Sequence, residues 1–175
     1  MALNEQKGNM YGFVSHTWNA IKGKCPHDCS YCYCKRWGKQ SDLHFDEKEL
    51  KTDLGEGNFI FVGSSCDMFA HDVPSDWIIK VLEHCNKYPK NTYLLQTKNP
   101  KRFRDLKLYY PLNCILGTTI ESNRETPSKA PNTKERTKSM ESEELFGMRK
   151  MVTIEPIMDF EVSHLVEIIK RIKIY

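Results

Sequence analysis

Four of the seven cysteines in this 175-residue chain lie within ten residues of one another. The segment 25–34 reads CPHDCSYCYC, a C-x3-C-x2-C arrangement followed by one further cysteine. A short loop with this spacing can direct several thiolates toward one inorganic centre. An odd number of cysteines, clustered in this way, argues against a framework of disulfide bonds. We therefore expect the loop to bind metal rather than to cross-link the chain.

Two kinds of metal centre suit these thiols. Structural zinc requires four ligands in a closed tetrahedron, which Cys25, Cys29 and Cys32 complete with either Cys34 or His27. An iron–sulfur cube that is held by only three thiolates leaves one iron open to a substrate or cofactor. The loop itself is compatible with both, as a binding module with closed zinc or as an enzyme with an open cluster.

The composition is that of one ordinary globular domain over residues 1–175. Hydrophobic residues make up 39% of the chain and charged residues 28%, and the net charge is +3. The opening residues lack the apolar core of a secretory signal. No stretch approaches the roughly 20 apolar residues that a membrane span needs. We expect a cytoplasmic protein, without membrane contact.

The rest of the chain must position the cysteines, and its apolar runs alternate with helical patterns. Helices are predicted after a cap at Ser75, from Asn99-Pro100 onward as a basic helix, and after a cap at Ser163. This alternation implies right-handed crossovers and a parallel sheet, hence an α/β fold. The predicted strands are 11–18, 58–63, 91–97, 113–120 and 150–155.

A polar stretch follows the fourth predicted strand. Between Glu121 and Glu144 the chain is almost devoid of apolar residues. Such a segment at the carboxyl end of a strand is either a lid over a site or a disordered insert. Residues 122–133 are the part of this stretch that would form such a lid, and limited proteolysis with and without SAM would distinguish the two.

The cysteine loop follows the first predicted strand, and there the sequence resembles the radical S-adenosylmethionine (SAM) enzymes. Their signature is C-x3-C-x-aromatic-C, here Cys25, Cys29, Tyr31 and Cys32. Four later segments resemble a phage and bacterial radical SAM family of unassigned substrate, which is related to spore photoproduct lyase. The resemblance runs from about residue 11 to the C-terminus. These segments are FIFVGSSCDMFA (59–70), LQTKNP (95–100), GTTIE (117–121) and VTIEPI (152–157).

The resemblance implies a fold and a reaction. The fold is a partial (β/α)6 barrel, and Cys25, Cys29 and Cys32 would ligate a [4Fe–4S] cluster whose open iron binds SAM. Reductive cleavage of SAM would give a 5′-deoxyadenosyl radical that takes hydrogen from a substrate. It also implies an electron donor such as a flavodoxin or ferredoxin, a nucleotide or nucleic-acid substrate, and the host cytoplasm if a phage encodes the chain.

The resemblance also implies which strand-end residues contact SAM. Ser64, Ser65 and Asp67 are expected near its amino group, and Lys98 near its carboxylate. The alternatives are that Asp67 caps a turn and that Lys98 is an ordinary solvated charge.

The other expected SAM contacts lie further along the chain. Thr119 and Glu121 are expected at the ribose hydroxyls, and Tyr31 at the adenine. The basic segment 98–107 would follow a phosphate backbone or form a solvated helix face.

Two departures from the family pattern bear on these expectations. Cys34 is an additional thiol, which we interpret as a bystander beside the cluster rather than a ligand. Only five strands are predicted where the family barrel has six, so its C-terminal part is expected to be missing. An open barrel edge would invite a partner or a second copy of the chain.

Overall fold

The computed structural model describes residues 3–6 and 11–174. Its regular elements are named here in chain order. The strands are β1 (Asn4–Glu5), β2 (His16–Trp18), β3 (Ile21–Lys22), β4 (His44–Phe45), β5 (Phe59–Val62), β6 (Thr92–Thr97), β7 (Cys114–Thr119) and β8 (Arg149–Thr153), and the helices are α1 (Ser75–Asn86), α2 (Arg102–Asp105), α3 (Thr133–Met140) and α4 (Val162–Arg171).

One sheet contains six of these strands, in the order β1-β2-β5-β6-β7-β8. Neighbouring strands pair in parallel from β2 through β5, β6 and β7 to β8, and these five strands are the ones that the sequence predicts. The two-residue β1 adds an antiparallel strand that no pattern indicated. Among the described strands, β1 and β8 are free edges, so the sheet is open, as a partial barrel is.

The core forms where helices cover the parallel strands. In α1, Ile78, Val81, Leu82 and Cys85 are buried, which is the i, i+3, i+4, i+7 stripe of an amphipathic helix. Cys85 and Cys114 are buried core residues. No helix in the described part of the chain is long and apolar enough to cross a membrane.

Several predicted helix boundaries are wrong. Pro74, rather than Ser75, precedes the first turn of α1, and the predicted basic helix is reduced to the four residues of α2. Glu161 caps α4 by accepting bonds from the backbone of Ser163 and His164, so Ser163 lies inside that helix. The N-cap preferences of Ser75 and Ser163 placed the starts of α1 and α4 within two residues but did not identify the residues at the N-cap positions, Pro74 and Glu161.

The polar stretch contains a helix that was not predicted. Asn132 and Glu135 form a reciprocal capping box that starts α3. Capping bonds and polar contacts substitute here for an apolar stripe, which is why hydrophobic periodicity missed the helix.

Candidate metal and cofactor site

The cysteine loop is wound by consecutive tight turns between β3 and a short 3-10 helix at Tyr33–Trp37. The Asp28 amide donates to the Cys25 carbonyl at 3.1 Å, and the Cys32 amide donates to the Cys29 carbonyl at 3.2 Å. As a result, the thiols of Cys25, Cys29 and Cys32 line one cavity of about 150 Å³. This cavity, here called the cysteine cavity, lies at the carboxyl ends of β5, β6 and β7.

Two further cysteines line the same cavity. Cys34 is buried, and its thiol lies 3.6 Å from the Ser65 carbonyl. Cys66 is buried, and its thiol lies beside that of Cys25. The hydrogen bond between them lowers the pKa of Cys25 to about 7, which raises the fraction of thiolate, the form that binds metal.

The donor set fits an iron–sulfur cluster better than a hard cation. In the part of the chain that the structure describes, no three His, Cys, Asp or Glu side chains converge closely enough to form a ready-made metal site. However, the three motif cysteines share one cavity, and thiolates are the ligands that such clusters use. The three thiols are therefore of the right type and in the right cavity for such a cluster, although they do not converge on one point.

The polar stretch after β7 is docked on the cysteine loop. The Lys129 amide donates to the His27 carbonyl at 2.7 Å, and the Ser30 amide donates to the Pro127 carbonyl at 3.0 Å. The Ser128 hydroxyl lies 3.0 Å from the Cys29 thiol. Residues 127–129 therefore cover the cysteine loop, and a role of this stretch as a lid stays a prediction.

Asp67 joins three segments that surround the cysteine cavity. Its Oδ2 accepts hydrogen bonds from the Thr97 hydroxyl at 2.9 Å and the Lys98 amide at 2.8 Å, and lies 2.9 Å from His27 Nε2. Its Oδ1 accepts from the Phe69 amide at 3.0 Å, which is the turn-capping alternative. Burial would raise the pKa of Asp67, but His27 and these donors hold it below its usual value.

Glu121 is the centre of a second buried network. Arg136 Nη1 lies 2.6 Å from Glu121 Oε2, Lys98 Nζ lies 3.1 Å from Oε1, and the Tyr31 hydroxyl donates to Oε1. Burial would raise the pKa of Glu121, but Arg136 and Lys98 lower it to about 2. Because Glu121 is fully buried, its contacts show a positioning role for Lys98 and Tyr31.

The predicted residues gather in one place. Of the ten residues predicted to bind the cluster or SAM, eight line the cysteine cavity. They are Cys25, Cys29, Cys32, Ser64, Ser65, Asp67, Lys98 and Thr119. Tyr31 instead lines an adjoining cavity of about 310 Å³ with Lys98 and Thr119.

Three polar residues of this neighbourhood, Asn19, Gln96 and Arg136, were not predicted from the sequence. Asn19 binds Ser64 and the Ser65 amide, while Gln96 donates to Thr119 at 3.1 Å and accepts from Tyr11 at 3.0 Å. Gln96 lies inside a quoted motif, yet nothing in that motif indicated its partners. No sequence pattern indicated a role for Arg136, because its partner Glu121 is fifteen residues away and only the fold brings the two side chains together.

The family model described as "Protein of unknown function (DUF5131)" matches residues 10–165. The chain belongs to the DUF5131 family. The matched part of this DUF5131 chain includes the cysteine loop, the strand ends and α3. A comparison with curated proteins gives no match.

Solved structures of spore photoproduct lyase, a radical SAM enzyme, share the fold of this DUF5131 chain. The lyase complexed with dinucleoside spore photoproduct matches with a TM-score of 0.72 at 13% identity, and a double mutant with bound AdoMet and the same photoproduct matches with 0.71 at 12%. Both matches cover 96% of this chain and 55% of the lyase chain. The chain thus shares the fold of spore photoproduct lyase and spans little more than half of the lyase's length.

Proposed function

We propose that this DUF5131 chain is a radical SAM enzyme that holds a [4Fe–4S] cluster through Cys25, Cys29 and Cys32. One observation carries the proposal: the thiols of a C-x3-C-x-aromatic-C loop line one cavity at the carboxyl ends of the parallel strands. The fold shared with spore photoproduct lyase supports it. Such a cluster would supply the electron that cleaves SAM to a 5′-deoxyadenosyl radical.

The chain's own residues would bind and orient SAM in the cavity of about 310 Å³ beside the cysteines. That volume is within the usual range for small-molecule sites. Lys98 is held at its edge by Glu121 and lies 5.1 Å from the ring centroid of Tyr31, so the cation and the ring are positioned together. Lys98 would bind the carboxylate of SAM, and Tyr31 its adenine.

The other SAM contacts differ in how free their polar groups are. Ser64 and Thr119 border both cavities, and Ser65 borders the cysteine cavity. The hydroxyls of Ser64 and Thr119 are bonded to the neutral amides of Asn19 and Gln96, so a ligand would compete with those amides for them. Asp67 and Glu121 are already bonded to the chain, and we assign them to holding the site together.

The substrate class follows from the lyase neighbour, whose structures contain a dinucleoside photoproduct. We propose a nucleotide or nucleic-acid substrate, and an electron donor such as a flavodoxin or ferredoxin in the cytoplasm. We also propose that a partner or a second copy of the chain pairs with the open edge of the described sheet at β8.

A zinc module is the second candidate, and the position of Cys34 is the observation that favours it. Cys34 lines the same cavity as the three motif cysteines, so four thiols are available for a closed tetrahedron. His27, the other zinc ligand considered, is paired with Asp67.

The deciding experiment is anaerobic reconstitution with iron and sulfide, followed by EPR of the reduced protein with and without SAM. We expect a [4Fe–4S] signal that SAM perturbs, because three thiolates leave one iron open. A colourless protein with stoichiometric zinc, or a cluster signal that SAM does not change, would contradict the proposal.

Single-cysteine variants sharpen this test. Cys29→Ala should abolish the cluster, whereas Cys34→Ala should keep it, and Cys114→Ala serves as a control for a buried thiol away from the site. If Cys34→Ala loses the metal as completely as Cys29→Ala, the four-thiol zinc site is the better description.

A further inference from the structure

A second, larger cavity lies beside the cysteine cavity. It is an open groove of about 930 Å³ between the segment that follows β6 and the loop that leads into α3. His27 lines both the groove and the cysteine cavity, so the two are neighbours. We call it the basic groove, after the four cations that line it: Lys101, Arg104, Lys129 and Lys138.

Most of the cations in the basic groove lack an anionic partner. In the described part of the chain, no carboxylate lies within 4.0 Å of the charged nitrogens of Lys101, Arg104 or Lys138. Lys129 has a long contact of 3.5 Å with Asp28 and remains 73% exposed. The four cations outnumber the two carboxylates that line the groove, Glu135 and Glu144, so the lining has an excess of positive charge that an anionic ligand would neutralise.

The two acids that line the groove are already engaged. Glu135 closes the capping box of α3 by accepting from the Asn132 amide at 3.0 Å. The Glu144 carboxylate accepts a hydrogen bond from Ser142. Neither therefore neutralises the groove cations by direct contact, and the lining remains net positive.

The basic segment predicted from the sequence divides between fold and groove. Lys98 binds Glu121, and Arg102 donates to the carbonyls of Ala70 and Val73 at 2.7 Å. Only Lys101 and Arg104 line the groove, where α3 adds Lys138 from a distant part of the sequence. The groove cations thus come from two separate parts of the chain, the segment after β6 and the region of α3, rather than from one basic helix.

We propose that the basic groove binds the phosphate backbone of a nucleic acid beside the cysteine cavity. None of the described residues that line it is Phe, Tyr or Trp, so it has no platform on which bases stack. Cations without aromatic side chains contact phosphates and do not read sequence. The groove is also far larger than one phosphate needs.

The inference rests on the proposed function for what the bound strand is used for, because the strand would enter the reaction only at the cysteine cavity. Binding itself requires neither cluster nor SAM. Failure of the binding test is therefore distinguishable from failure of the EPR test.

The experiment measures fluorescence anisotropy of a labelled 12-nucleotide DNA strand with the chain free of metal, from 50 to 200 mM NaCl. The test variant is Lys101→Gln/Arg104→Gln/Lys138→Gln. The matched control is Lys51→Gln/Lys87→Gln/Lys170→Gln, which removes the same charge from exposed sites that do not line the groove. At 0.1 M salt such remote charges are largely screened, with a Debye length of about 10 Å.

We expect the groove variant to bind at least about tenfold more weakly at 100 mM NaCl and its salt slope to fall by about 2, since each lost contact with a single strand contributes about 0.7. The control should stay within about twofold of the unaltered chain. Equal losses in both variants, or no binding by the unaltered chain at 50 mM NaCl, would overturn the proposal. Displacement of the strand by AMP at equal phosphate concentration would also overturn it, since the groove would then be a single-phosphate site.

Discussion

The cysteine cavity and the basic groove share His27 but treat charge in opposite ways. Around the cysteine cavity, the carboxylates of Asp67 and Glu121 are saturated by donors from the chain itself. In the basic groove, Lys101, Arg104 and Lys138 have no carboxylate partner among the described residues.

The cysteine cavity is therefore preorganised by bonds within the chain, whereas the basic groove attracts a ligand by its charge. Buried polar groups are costly unless they are fully bonded, so the networks around the cysteine cavity hold its walls in place before any ligand arrives. Exposed cations have little effect on folding and mainly attract an anionic ligand. Substitutions in the two regions should therefore have different consequences for stability.

The largest loss of stability is expected for Asp67→Ala. The change leaves the buried donors of Thr97, Lys98 and Phe69 without their acceptor and His27 without its partner. We expect the free energy of unfolding in urea to fall by about 4 kcal/mol. Asp72→Ala, at an exposed carboxylate nearby, should change it by less than about 0.5 kcal/mol. A small loss for Asp67→Ala would show that the walls do not depend on this network.

Glu121→Gln tests the second network through its pH dependence. The folded-state pKa of Glu121 is lowered from 4.5 to about 2. Its contribution to stability is therefore complete above pH 4.5 and is lost as the pH falls through about 2. We expect the free energy of unfolding of the unaltered chain to exceed that of the variant by about 3 kcal/mol at pH 7 and pH 5, and by less than half of that at pH 3.

The control for this experiment is Glu167→Gln on the exposed face of α4. The free energy of unfolding of this control should differ little from that of the unaltered chain at every pH, because exposed surface charges contribute little to stability. A Glu121→Gln difference that is the same at pH 3 and pH 7 would mean that the side chain stabilises the site by shape rather than by charge.

The sequence predicted what local pattern encodes. Apolar runs such as 59–62 and 92–97 mark buried strands, and their order implies the parallel sheet. The spacing of Cys25, Cys29 and Cys32 predicted a shared site because they lie in one short loop. Cys66 and Lys138 could not be assigned in this way, since only the crossovers between strands bring them to the cysteine loop and to the basic groove.

The smallest effect on stability is expected for the triple groove variant Lys101→Gln/Arg104→Gln/Lys138→Gln. Because these cations make no ion pairs within the described fold, the free energy of unfolding should stay within about 0.5 kcal/mol of the unaltered chain. Adding the 12-nucleotide strand should raise the Tm of the unaltered chain but not of the variant, since a ligand stabilises only the state that binds it. A variant that is itself destabilised by more than about 1 kcal/mol would place the groove cations in the fold and remove the contrast with the cysteine cavity.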